Sequence, residues 1–74
     1  MTQADWRDRE AVYEIRVEGV LDDSWSVWLG GLDVRPRDSG ETVLTGPVRD
    51  QAALHGLLNK IRDLGLLLLS VKRV

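Results

Sequence analysis

The sequence predicts an α+β domain of the ferredoxin-like kind, β-α-β-β-α-β, with a four-stranded antiparallel sheet and two helices on one face. Three observations predict it. Tyr13, Ile15 and Val17 alternate with Glu14, Arg16 and Glu18, the period of a strand with one buried face. A capped amphipathic segment from Asp50 to Leu64 stops at Gly65 and runs straight into the apolar stretch Leu66 to Val71. A helix tied so closely to a strand must fold back onto a sheet. Between these lie two shorter alternating stretches, joined by Arg37-Asp38-Ser39-Gly40, which has the composition of a turn.

Taken in order, the first strand ends at Gly19. Asp22, Asp23 or Ser24 can then cap a two-turn helix with Trp25, Trp28, Leu29 and Leu32 at i, i+3, i+4 and i+7, halted by Gly30 and Gly31. Leu32 and Val34 alternate with Asp33 and Arg35 in a second strand, and Pro36, which has no N–H to donate, places that strand at an edge. The third strand runs from Glu41 to about Val48, with Thr42, Leu44 and Gly46 on one face, Val43 and Thr45 on the other, and Pro47 at its end. Asp50 caps the second helix, whose stripe is Leu54, Leu57, Leu58, Ile61 and Leu64, and Gly65 suits the left-handed position after it. The last strand covers Leu66 to Val74. Right-handed crossovers place it beside the first strand and put the second strand on the far edge.

A chain of 74 residues makes one domain, and at this size only about 60% of the unfolded surface is buried on folding. The sequence has no cysteine and one histidine, so disulfides and a histidine–cysteine metal site are excluded as staples, which leaves association with a partner. The formal charge of -2 is mixed rather than blocked, which argues against nucleic acid or an anionic membrane as partner. Residues 1–10 read as a flexible tail with Trp6 isolated among charges, and residues 11–74 as the domain. The tail lacks the apolar run of a secretory signal, and Leu66 to Leu69 is too short to span a bilayer, so a cytoplasmic location is expected. Arginine outnumbers lysine eight to two, as in GC-rich genomes.

Each activity known on such a fold has to be tested on its own residues. Base stacking needs exposed aromatics on the central strands, where the outward positions are Glu14, Arg16, Glu18, Val43 and Thr45. Metal transfer by paired thiolates needs cysteines. V-E-G-V at Val17 to Val20 distantly resembles the turn after the first strand of acylphosphatases, but Leu21, Asp22 and Asp23 stand where a phosphate-gripping arginine is required. Histidine is the default general base or metal ligand, yet no acidic residue lies at i±3 or i±4 to orient His55, so it reads as a surface or boundary histidine. Trp25 and Trp28 read first as rings that close a small core. Arg35 and Arg37 could grip a carboxylate or phosphate across the outer sheet face, but they read first as members of solvated cross-strand pairs. No catalytic constellation, cofactor site or metal site is visible.

Leu67, Leu69 and Val71 are expected to face the helices and Leu66 and Leu68 to face outward, near Val43 and Thr45. That leaves an apolar edge strand, which folded proteins cover or pair. Val43, Thr45, Leu66 and Leu68 are therefore the expected self-association surface.

Y-E-I-R-V-E-G at Tyr13 to Gly19, T-G-P-V-R-D-Q-A-A-L-H-G-L-L-N-K-I-R-D-L-G at Thr45 to Gly65 and L-L-S-V at Leu68 to Val71 together resemble a group of short uncharacterised bacterial proteins. The resemblance spans Tyr13 to Val71 and implies a small stand-alone bacterial protein, with no activity, ligand or catalytic residue attached. The expected function is that of a non-enzymatic, homo-oligomeric interaction or regulatory module, a dimer or larger, with an unidentified protein as a further partner. The alternative is a small-ligand sensor or accessory subunit of an enzyme, with a pocket lined by Trp25, Trp28, His55 and Arg35. A small enzyme centred on His55 is the third reading.

Overall fold

The computed structural model describes residues 10–74. The tail expected over residues 1–10, Trp6 included, lies outside them except for Glu10. Strands β1 (Ala11–Glu18), β2 (Asp33–Pro36), β3 (Glu41–Val48) and β4 (Leu67–Arg73) form one antiparallel sheet in the order β2-β3-β1-β4, and α1 (Gln51–Asp63) connects β3 to β4. The fourth strand does lie beside the first, and the second strand, with Pro36, is the far edge. β3 continues to Val48 past the end of β2, whose ladder stops opposite Thr45, so Pro47 has a neighbouring strand on one side only and its missing N–H interrupts no central ladder.

The expectation of two helices is corrected. Where the first was predicted, the chain forms a 3₁₀ turn, Asp23–Trp25, and then one irregular turn to Gly31. Several local terms oppose a helix here. The Asp22 carboxylate accepts from the Ser24 N–H at 3.0 Å and also from its hydroxyl, and the Ser26 hydroxyl donates to the Leu32 carbonyl at 2.6 Å, out of register with a helix. Nucleation is costly, and so short a segment does not recover it by propagation. The predicted stop is nevertheless present. The Gly31 N–H reaches the Ser26 carbonyl at 2.8 Å and the Gly30 N–H reaches that of Val27 at 3.1 Å, with Gly30 at φ 81°, which is the Schellman pattern.

α1 forms as its sequence dictates. The Asp50 side chain accepts from the Ala53 N–H at 2.8 Å, and the helix ends with Leu64 as its cap and Gly65 at φ 77°. Leu54, Leu57 and Ile61 are buried, and they meet Ile15, Val17, Leu44, Val34 and Val48 of the sheet and Leu21, Leu29 and Leu32 of the first crossover in a single core. Leu58 and Leu64 are half-buried at the margin of the predicted stripe. Tyr13 packs on the same core opposite Gly46, and its hydroxyl accepts from the Gln51 side chain at 3.2 Å.

A second correction concerns β4. Arg16 pairs with Ser70 while Val17 pairs with Leu68, so Leu69 is the extra residue of a β-bulge. One inserted residue exchanges the faces of everything before it. Leu68 thus lies opposite Val17, on the core side, and Leu67 lies opposite Glu18, on the outer side, the reverse of the expected assignment. Val71, opposite the buried Ile15, keeps its predicted side. Leu66 packs against the core instead of pointing away from it.

Candidate functional site

The structure brings two of the four expected pocket residues together. The rings of Trp25 and Trp28 meet edge to face, with centroids 5.8 Å apart and planes at 76°. Trp25 packs against the core, whereas Trp28 is exposed on its outer side. Lys60 of α1 closes the group, with its ammonium 5.4 Å from the Trp28 ring centre and donating to the Trp28 carbonyl at 3.0 Å. This contact latches the first crossover to the helix. The sequence reading missed it because Lys60 lies off the apolar stripe, and nothing in linear spacing links it to Trp28.

His55 and Arg35 are elsewhere. His55 is exposed on α1 and makes no hydrogen bond or ion pair among the described residues. Arg35 projects from β2 and pairs with Asp33 at 2.5 Å, and that hydrogen bond together with the carboxylate charge raises its pKa above the ordinary arginine value. Arg35 also lines an open, polar cleft of about 560 Å³ with Asp23, Asp33, Val34, Pro36 and Arg37. A second cleft, of about 330 Å³, lies where the first crossover faces the start of α1 and is lined by Leu29, Leu32, Val48, Ala53 and Leu57, with Glu10 and Arg49 also contributing. Neither cleft is lined by Trp25, Trp28 or His55.

The expected self-association residues are also divided. Val43 is only 5% exposed. It lies on the outer face between Arg16 and Arg35 in register, where long side chains flank it. Thr45 is half-buried between Glu14 and Asp33 in register. Leu66 is half-buried against the core, and Leu68 is exposed. What the structure exposes is β4 along its length, with Leu67 at 60%, Leu69 at 43% and Val71 at 38%. The signal was present in the sequence as a strand apolar on both faces over its first half, but the alternation rule assigned half of it to the core.

Beside this strand the outer face carries a chain of charges. Lys72 approaches Glu14 at 3.6 Å, Glu14 approaches Arg16 at 3.8 Å, and Arg16 approaches Glu41 at 3.9 Å, crossing β4, β1 and β3. The buried Glu14 Oε1 is held by these ion contacts without a hydrogen bond among the described residues. Such partly exposed pairs contribute little to stability, but they make the outer face polar right up to Leu67. No group of three or more His, Cys, Asp or Glu side chains among the described residues is placed to hold a metal ion. No helix among them is long and apolar enough to cross a membrane.

No curated protein and no solved structure matches the chain. The model of a family described as a domain of unknown function, DUF8691, matches residues 12–72, from the second residue of β1 almost to the end of β4, and the chain belongs to that family.

Proposed function

We propose that this protein is a non-enzymatic interaction module that works as a homo-oligomer, with β4 as its contact element. The observation behind this reading is the exposure of Leu67, Leu68, Leu69 and Val71 on a strand that has only β1 beside it among the described residues. An apolar edge of this kind is normally covered or paired. A small domain without disulfides gains from such cover. Size-exclusion chromatography with light scattering tests it: the expected mass is at least twice the 8.3 kDa of the chain at micromolar concentration. A monomer throughout that range overturns the reading.

A small-ligand sensor or accessory subunit is the second reading, and the 330 Å³ cleft favours it, because its size and apolar lining fall within the range of small-molecule sites. Native mass spectrometry of freshly purified protein separates the two. A retained small molecule supports the sensor, and a bare oligomer supports the interaction module. For the architecture, we read the sheet as a ferredoxin-like one whose first crossover has shortened to a 3₁₀ turn, supported by β4 lying beside β1 and β2 at the far edge. A bacterial setting is supported by the resemblance of Tyr13 to Val71 to short bacterial proteins, and the arginine-rich, lysine-poor composition fits a GC-rich genome.

A further inference from the structure

We propose that two copies of the chain join along β4, antiparallel about a two-fold axis through Ser70, so that their two sheets become one continuous sheet. The inference rests on the self-association reading and adds the element, the direction and the register. Ser70 is the middle residue of Leu67–Arg73. Antiparallel pairing about it sets Leu69 of each copy opposite Val71 of the other, joining two exposed apolar side chains twice over. Because the bulge lies at Leu69, the in-register contact about the axis is the short run Leu69 to Val71 of each copy.

Charge selects the direction. β4 ends in Lys72 and Arg73, and its start is in register with the exposed Glu18 of β1. Antiparallel docking carries the basic end of one copy toward the Glu18 end of the other. Parallel docking instead stacks basic end on basic end. The same contrast disfavours the other edge. β2 has four residues, Pro36 among them, and it projects the charged Asp33 and Arg35, the features that blunt an edge against pairing. The antiparallel arrangement is also isologous and closes at two copies, so it does not propagate into a fibre.

The full chain has no cysteine, so single introduced thiols report the contact directly. At a two-fold axis the two copies of Ser70→Cys are about 4.5–5.5 Å apart at Cα, inside the disulfide range of about 4.4–6.8 Å. Under mild oxidation Ser70→Cys is expected to convert largely to a reducible dimer, while Arg35→Cys on the opposite edge remains single chains. Mixing Leu69→Cys with Val71→Cys gives a second readout should Ser70→Cys fold poorly, and the mixed disulfide is expected in excess over either homodimer. If the unmodified protein scatters as a dimer but Ser70→Cys stays unlinked and the mixed pair shows no excess, the β4 geometry is wrong and self-association stands. Linking through Arg35→Cys has the same meaning. An unmodified chain that is monomeric removes both.

Discussion

Thr42 is completely buried, and its hydroxyl is used twice. It accepts from the Leu21 N–H at 3.0 Å and donates to the Gly19 carbonyl at 2.6 Å, so one side chain of β3 satisfies the backbone where the chain leaves β1. Thr42→Val keeps the shape and strands both backbone groups, and it is expected to cost about 1–3 kcal/mol. Thr42→Ser, which keeps the hydroxyl, is expected to lose clearly less. Thermal unfolding of the two variants side by side checks this, since each kcal/mol moves the midpoint by roughly 4–8 °C in a domain of this size. Gly46 is constrained sterically instead, because a Cβ there falls 2.7 Å from Cδ2 of the buried Leu32 and 3.5 Å from its Cα. Gly46→Ala is expected to destabilise by about 1–3 kcal/mol through overpacking, and urea titration measures it. Alternation in the sequence placed both residues on the inner face; what each does there depends on neighbours more than ten positions away.

Among the elements, the two crossovers differ in how they are held. α1 has its own cap, stop and buried stripe, and Asp50→Ala is expected to cost about 1 kcal/mol, read as a lowered unfolding midpoint with the fold retained. The first crossover lacks a helix of its own. It is held by Leu21, Leu29 and Leu32 in the core and by Lys60 over Trp28. Its N–H groups at Leu29, Gly30 and Gly31 are therefore expected to exchange hydrogen through local opening, well before those of Ile15 and Val17 in the centre of the sheet. Exchange of both groups at one common rate would show that the crossover and the sheet open only together. The periodicity Trp25, Trp28, Leu29, Leu32 suggested a helix because it identified the buried side correctly, and a short irregular turn buries the same residues.

For the whole molecule, the balance between a small core and an apolar edge decides the behaviour in solution. If β4 is paired with a second copy, folding and association are linked, and the thermal midpoint rises with protein concentration. Leu69→Lys is expected to abolish that dependence and leave a monomer with a lower midpoint, because a charge is placed at the centre of the contact. A midpoint that does not change over a hundredfold range of concentration counts against association. The outer-face ion chain from Lys72 to Glu41 is expected to matter little here, so added salt moves the midpoint only slightly.

By itself the sequence determined α1 with its cap at Asp50 and stop at Gly65, the inward faces of β1 and β3, the edge position of β2 and the closeness of β4 to β1. These follow from local periodicity and from residues whose backbone preferences act within a few positions. Tertiary structure decided the rest. The first helix gave way to a 3₁₀ turn because side-chain hydrogen bonds and tertiary packing outweighed a weak local propensity. Which leucines of β4 face outward was set by the bulge opposite Val17, and a bulge exists only between two paired strands. Val43 lost its place on the exposed surface because the residues flanking it come from β1 and β2. The apolar strand at the end of the chain was plain from composition, but the side chains it offers to a partner were fixed by pairing across the sheet.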